Sequence, residues 1–139
     1  MILLDTSGLL AALAADQSRH REARAALEAA GPPFVLSPFV LAELGYLLMR
    51  EGGPVAELAL LRELVAGAYD LPPFLAADVR DATAVIERYG DLGIGLADAS
   101  VVVLAERFHT ERVLTLDERH FRVLRSPRGK PFTILPADG

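Results

Sequence analysis

Two acidic residues stand directly after segments that have the pattern of buried strands. Asp5 follows the continuous apolar run of residues 1–4, and Asp117 follows the mostly apolar segment 112–116. An apolar run without alternation is typical of a central strand that is covered on both faces. In open α/β sheets, ligands bind beyond the carboxyl ends of the strands. We therefore expect both carboxylates to lie at a ligand site.

Two further acids stand where predicted core helices should be apolar and buried, and neither has a same-helix ion pair. On a helix, side chains three and four positions apart share a face, and none of these positions around Glu43 or Asp98 carries Lys or Arg. A buried carboxylate is strongly unfavourable unless it is paired, neutralised or bound to a metal. We interpret both acids as metal-binding, although Asp98 also suits a structural role near the start of its helix. The neighbouring positions are Phe39, Val40, Tyr46 and Leu47 for Glu43, and Ile94, Gly95, Val101 and Val102 for Asp98.

A set of four carboxylates suits a hard divalent cation. Magnesium and manganese prefer oxygen ligands, and magnesium is commonly held by a few carboxylates together with a substrate phosphate. Such an ion activates water and stabilises charge on a phosphoryl group during its transfer. Cysteine is absent, and His20, His109 and His120 have no spacing typical of zinc ligands. The residues therefore predict phosphoryl chemistry at a magnesium or manganese site.

Charge is distributed unevenly along the chain. The 139 residues carry a formal net charge of −5, yet residues 106–130 contain seven basic and four acidic residues, a local balance of +3. A basic segment beside an acidic remainder suits contact with nucleic-acid phosphates; a solvated surface is the alternative. The most apolar windows are far shorter than the roughly 20 residues that span a bilayer, and no signal peptide is visible. With the lack of cysteine, these features predict a cytoplasmic protein without a membrane segment.

Predicted strands alternate with predicted helices along the whole chain. This alternation indicates a single α/β domain over residues 1–139, with a mostly parallel sheet and helices on both faces. Ser37 and Pro38 form a strong helix start, and Pro54 opens a further helix after a glycine pair. The five predicted strands are residues 1–4, 34–36, 69–71, 112–116 and 132–135, and the clearest predicted helices are residues 9–15, 19–30, 38–50, 76–88 and 96–108.

Four short motifs resemble those of PIN domains, and especially of VapC-type toxin ribonucleases. Residues 1–7 read Met-Ile-Leu-Leu-Asp-Thr-Ser, and residues 37–43 read Ser-Pro-Phe-Val-Leu-Ala-Glu. Residues 89–100 read Tyr-Gly-Asp-Leu-Gly-Ile-Gly-Leu-Ala-Asp-Ala-Ser, and residues 113–121 read Val-Leu-Thr-Leu-Asp-Glu-Arg-His-Phe. Each motif alone is weakly specific, but the four occur in the family's order, at similar spacing, over nearly the whole chain.

The resemblance implies a fold, an activity and partners. The implied fold is a Rossmann-like three-layer α/β/α sandwich with a mostly parallel sheet of about five strands. The implied activity is a magnesium- or manganese-dependent endoribonuclease, the toxin of a toxin–antitoxin pair. A VapB-like antitoxin and a homodimer are the implied protein partners, and RNA is the implied substrate.

The resemblance also assigns roles to the four acids. Asp5 and Asp98 match the direct metal ligands of the family. Glu43 and Asp117 match the acids that complete the site, either by holding metal-bound waters or by binding a second ion.

Further residues receive supporting roles. Ser7 and Thr115 match small hydroxyl residues that hydrogen-bond the metal-binding carboxylates. Arg119, His120 and Arg122 follow the fourth acid closely enough to reach the backbone of bound RNA, with a plain surface position as the alternative for each.

Three other functions remain to be distinguished. A PIN nuclease of RNA maturation or decay has the same motifs, and an upstream antitoxin gene would separate the two. A catalytically silent binding module is disfavoured, because it has no reason to keep charges among apolar side chains. A magnesium-dependent phosphatase on a similar sheet usually has a second Asp two residues after the first, where this chain has Ser7.

Overall fold

One parallel sheet forms the centre of the computed structural model, which describes all 139 residues. Its four strands pair in the order β2-β1-β3-β4, and every pair is parallel. Successive side chains of a strand point to opposite faces, yet all three residues of the first strand are at most 1% exposed. Both faces are therefore covered, as the sequence predicts, and the fold is a three-layer α/β/α sandwich. The strands are β1 (Ile2–Leu4), β2 (Phe34–Leu36), β3 (Arg112–Leu114) and β4 (Thr133–Leu135).

Six α-helices and one short 3₁₀ segment, Gly90–Leu92, surround the sheet. The long third helix contains a kink at Gly53, whose φ of 75° is outside helical space. Pro54 restarts the helix after the kink, as expected for a residue with a fixed φ. None of the helices is long and apolar enough to cross a membrane. The helices are α1 (Thr6–Leu13), α2 (His20–Ala30), α3 (Pro38–Val65), α4 (Ala76–Arg88), α5 (Leu96–Phe108) and α6 (Glu118–Phe121).

The predicted fifth strand at residues 69–71 is wrong. Only Asp70 pairs with the sheet, through a single bridge to Val35. Its amide donates to Phe34 O at 2.9 Å, and its carbonyl accepts from Leu36 N at 2.8 Å. Pro72 and Pro73 follow directly; because proline has no amide hydrogen, the ladder cannot continue.

The order of the strands creates a crevice between β1 and β3. From β1 the chain moves to β2 on one side, and it later returns to β3 on the other side. Where the direction of strand order reverses, the two connections leave the sheet in opposite senses and open a ligand crevice beyond the strand ends. Asp5 follows β1 and Thr115 follows β3, so both residues border this crevice.

Candidate active site

The register of the sheet brings three polar residues to one edge. Leu4 of β1 is paired with Leu36 of β2 and with Leu114 of β3. The next residue along each strand is therefore at the carboxyl edge: Asp5, Ser37 and Thr115. All three are at most 4% exposed, so each needs a hydrogen-bond partner within the protein.

Hydroxyl groups hold the Asp5 carboxylate. Thr115 Oγ1 donates to Asp5 Oδ2 at 2.7 Å, and Ser7 Oγ donates to the same oxygen at 3.4 Å. The hydroxyls of Ser7 and Thr115 are 3.2 Å apart. They accept in turn from the amides of Leu116 and Asp117, at 3.0 and 2.9 Å. Asp5 is the residue before α1, but its side chain makes no capping bond, because the carboxylate is turned to this network.

Close packing of α1 against β3 depends on Gly8. A Cβ atom at this position would overlap the backbone carbonyl of Leu114 and would lie 2.7 Å from Thr115 N. The helix begins at Thr6, earlier than the predicted residue 9, and this early turn brings Ser7 to Thr115. The Asp-Thr-Ser-Gly run of residues 5–8 was the sequence signal for this contact, and sequence reasoning used only Asp5 and Ser7 of it.

Asp117 and His120 form the second side of the site. Asp117 caps α6, and its Oδ1 accepts from His120 N at 3.1 Å. The His120 ring returns to the same carboxylate, with Nδ1 at 2.7 Å from Asp117 Oδ2. That nitrogen is also 3.4 Å from Asp98 Oδ2. The predicted RNA-contacting residue His120 therefore lies between two of the acids that are predicted to bind metal; the helix α6 that orients it was not predicted.

A buried pair of hydroxyls joins the helices that carry Asp98 and Glu43. Ser37 caps α3 by accepting from Phe39 N at 3.1 Å. Its Oγ is 2.6 Å from the Oγ of Ser100, on the first turns of α5. These serines are 63 positions apart in the chain, so no local pattern could have revealed their contact.

The premise that Glu43 is buried is wrong. Glu43 is exposed, and the buried side of α3 consists instead of Val40, Leu44 and Leu48. Tyr46, one of the neighbours that suggested burial, is 56% exposed. The side chain nevertheless belongs to the site, because Glu43 lines the same cleft as the three aspartates.

Burial and mutual repulsion raise the pKa of two of the acids. Burial raises the pKa of Asp5 from 3.8 to about 7, and the charges of Asp98 and Asp117 add to this effect. The hydrogen bond from Thr115 opposes it. Burial raises the pKa of Asp98 to about 6, with further contributions from Asp117 and Glu43 and an opposing one from His120. The site therefore holds carboxylates that lack a compensating positive charge.

The cleft formed by these residues suits a divalent cation. It has a volume of about 350 Å³, and its lining includes all four predicted acids. In the whole chain, only Thr6 Oγ1 and His120 Nδ1 are buried side-chain polar atoms without a hydrogen-bond partner. Thr6 lines the cleft and His120 contacts two of its acids. Unpartnered buried polar atoms call for an additional ligand, and the oxygen-rich donor set fits magnesium or manganese.

The two arginines of the predicted RNA-binding set differ from each other. Arg119 is exposed. Arg122 is held by two acids of the chain itself: its guanidinium binds Asp138 at 2.7 and 2.9 Å and Glu118 at 2.9 Å. Its charge is therefore largely compensated within the protein.

Comparison with known proteins agrees with the fold. Residues 2–125 match the PIN domain family. The chain is 43% identical over 135 residues to ribonuclease VapC26 of Mycobacterium tuberculosis, which covers 97% of this chain and 100% of that protein. The crystal structure of the sarcin–ricin loop cleaving toxin VapC20 of Mycobacterium tuberculosis superimposes with a TM-score of 0.77 at 24% identity, over 85% of this chain and 91% of that one. The chain therefore belongs to the PIN domain family, among its VapC-type members.

Proposed function

We propose that this chain is a divalent-metal-dependent endoribonuclease that acts as the toxin of a VapBC-type toxin–antitoxin pair. The observation that carries the proposal is the convergence of four carboxylates in one cleft at the switch point of the sheet. The relative that is 43% identical supports it, since that protein is named a ribonuclease, and the solved structure with the same fold is titled a sarcin–ricin loop cleaving toxin.

Asp5 and Asp98 would bind the ion directly, and Glu43 and Asp117 would complete its surroundings. Magnesium and manganese both fit this oxygen-rich set. When bound, the ion supplies an activated water and stabilises negative charge on the scissile phosphate. Hydrolysis would break the bond between phosphorus and the 3′ oxygen, leaving 5′-phosphate and 3′-hydroxyl ends.

The surrounding residues prepare the site for this reaction. Thr115 and Ser7 hold one oxygen of Asp5 in a fixed place, which leaves its second oxygen for the ion. The Ser37–Ser100 pair fixes the helix carrying Glu43 against the helix carrying Asp98. Arg119, exposed beside the fourth acid, would contact an RNA phosphate.

The proposal includes the partners of such a toxin. A VapB-like antitoxin would neutralise the nuclease, a homodimer would be the active assembly, and cellular RNA in the cytoplasm would be the substrate. The alternatives are a PIN nuclease of RNA maturation and a catalytically silent PIN module.

Cleavage of total RNA tests the proposal. We expect the purified chain to cut RNA with Mg²⁺ or Mn²⁺ and to leave it intact in chelator. Mapping of the new ends should show 5′-phosphates. Controlled expression should arrest growth for wild type and have no effect for Asp98→Asn. Cleavage without growth arrest would favour the maturation nuclease, and metal binding without cleavage would favour the silent module.

A further inference from the structure

The His120 imidazole occupies a position that sequence reasoning did not assign to it. Its side chain is 18% exposed, and Nδ1 faces two carboxylates, at 2.7 Å from Asp117 and 3.4 Å from Asp98. The nitrogen is within ion-pair distance of both oxygens, yet it has no hydrogen-bond partner of normal geometry. A buried nitrogen that lies between two carboxylate oxygens without an aligned hydrogen bond to either requires a physical explanation.

Another histidine of the chain shows how such a ring is satisfied by the protein alone. His20 Nδ1 is 2.7 Å from the carbonyl oxygen of Ala11, in hydrogen-bond geometry. His120 has no such carbonyl at Nδ1. A purely structural role therefore explains His20 and does not explain the direction of the His120 ring.

The three atoms have the spacing of ligands around one ion. Nδ1 of His120 and one carboxylate oxygen each of Asp98 and Asp117 all lie within 4.8 Å of one another. Adjacent ligands of an octahedral ion with bonds of about 2.1 Å are about 3.0 Å apart. The distances of 2.7 and 3.4 Å from Nδ1 to the two oxygens bracket this value. An ion bound by all three atoms would also account for the lack of a hydrogen bond at Nδ1.

We propose that His120 Nδ1 is a ligand of the ion held between Asp98 and Asp117, and that this nitrogen makes the site select Mn²⁺ over Mg²⁺. The inference rests on the proposed metal-dependent function and adds the identity of the ion to it. Imidazole suits transition metals, whereas Mg²⁺ is bound by oxygen and gains little from a nitrogen ligand. A site of carboxylates alone would distinguish the two ions less, because carboxylate oxygens suit both.

Pulsed EPR of Mn²⁺ bound to the full chain tests the proposal directly. A coordinated imidazole produces a nitrogen hyperfine coupling that oxygen ligands cannot produce. We expect this coupling in wild type and its loss in His120→Asn, whose amide oxygen can reach the place of Nδ1. His109→Asn is the matched control. This residue is exposed, and its φ of 51° is one that Asn adopts readily. It is separated from Asp98 by about 16 Å along the axis of α5. The control should retain the coupling.

Metal affinities supply a second measurement that does not depend on catalysis. Loss of groups that merely orient a ligand weakens metal binding by about 10- to 100-fold, so we expect Mn²⁺ affinity to fall at least about tenfold in His120→Asn. Mg²⁺ affinity, measured by competition, should change little, and the preference for Mn²⁺ should shrink accordingly. Circular dichroism and melting would show that both variants are folded.

The outcomes separate this inference from the proposed function. Wild type that cleaves RNA with Mn²⁺ and shows no nitrogen coupling would overturn the role of His120 and leave the nuclease intact. Equal loss of Mn²⁺ and Mg²⁺ affinity in His120→Asn would also overturn it, because selection of the ion would then have another source. Wild type that neither binds Mn²⁺ nor cleaves RNA would overturn both.

Discussion

Acidic residues have opposite surroundings in two regions of the molecule. On the outer surface, three acids are each bound by an arginine: Arg107 binds Asp78 at 2.9 Å, Arg128 binds Glu111 at 2.5 Å, and Arg122 binds Asp138 at 2.7 Å. In the cleft, no Lys or Arg lies within ion-pair distance of any acid. We call these two sets the paired acids and the cleft acids; the cleft acids are Asp5, Glu43, Asp98 and Asp117.

The pKa values follow this division. Hydrogen bonds from Arg122 lower the pKa of Asp138, and the Leu75 amide with Arg107 lowers that of Asp78. Burial and neighbouring charges raise the pKa of Asp5 and Asp98. Arginines thus form ion pairs with these surface acids, and none forms an ion pair with an acid of the cleft. The cleft acids are therefore left to bind a cation from solution, and their mutual repulsion lowers the stability of the metal-free fold.

The largest expected difference between the cleft acids and other acids of the chain is in the rate of RNA cleavage. We expect Asp5→Asn or Asp98→Asn to lower the rate of metal-dependent RNA cleavage by at least about 100-fold, the upper range for losses that only perturb a metal ligand. The reason is the loss of a charged ligand and of the water that the ion activates. Asp91→Asn, exposed seven positions before Asp98, is the control and should cleave at the wild-type rate. An Asp98→Asn protein with near wild-type cleavage would remove Asp98 from the metal site.

Replacement of Asp by Asn should change the stability of the metal-free protein in opposite directions for a cleft acid and for a paired acid. In chelator at neutral pH, Asp98→Asn should melt higher than wild type, because it removes one of several repelling charges. We expect on the order of 1 kcal/mol, or about 3–6 °C for a domain of this size. Asp138→Asn should melt lower, because it loses the negative charge and one of the two oxygens that bind the Arg122 guanidinium.

Addition of magnesium or manganese should reverse the order of the melting temperatures of wild type and Asp98→Asn. Binding to the folded state stabilises wild type by mass action, and Asp98→Asn should gain much less. A variant Asp98→Asn that melts several degrees lower than wild type in chelator would mean that Asp98 is mainly a structural hydrogen-bond acceptor.

The pH dependence of the metal-free protein should show the raised pKa values. A carboxyl group whose pKa is 3.8 when unfolded and about 6 or 7 when folded binds more protons in the folded state between those values. Stability therefore falls as pH rises from about 4 to 7 and levels off above that range. Urea unfolding in chelator should detect a loss of at least on the order of 1 kcal/mol over this interval. Asp98→Asn should flatten the profile, and a wild-type profile that is flat or rising would contradict the raised values.

The two arginines beside the site should have the smallest and most distinct effects. Arg119→Ala should weaken RNA binding and reduce the slope of log affinity against log salt by about 1, as expected for one lost phosphate contact. Arg122→Ala should lower the melting temperature and leave the salt slope nearly unchanged, because Asp138 and Glu118 already bind this guanidinium. Equal salt slopes for wild type and Arg119→Ala would mean that Arg119 is a surface residue that does not contact RNA.

Local sequence patterns predicted most of the fold. The bounds of α4 and α5 coincide with those predicted from periodicity, and the break before Pro54 appears as the kink at Gly53. The apolar runs identified four of the strands, and their continuous character predicted a sheet covered on both faces. These features depend on residues close together in the chain, which is why a single sequence contains them. The prediction of a strand at residues 69–71 was wrong, because the pairing of an edge strand depends on its partner strand and on the prolines that follow.

The sequence by itself also predicted four acids that the fold brings to one cleft. Asp5 and Asp117 could be predicted because strand ends meet at one edge of a parallel sheet. Asp98 was predicted as a charge on an apolar helix, and Glu43 was predicted on the same ground although its side chain is exposed. Only the tertiary structure decided how these acids are held. Exposure of Glu43, the Ser37–Ser100 contact and the position of His120 between Asp98 and Asp117 all depend on how α3, α5 and α6 pack together. Such contacts join segments far apart in the chain, and their distances follow from the packing of whole helices and not from any local pattern.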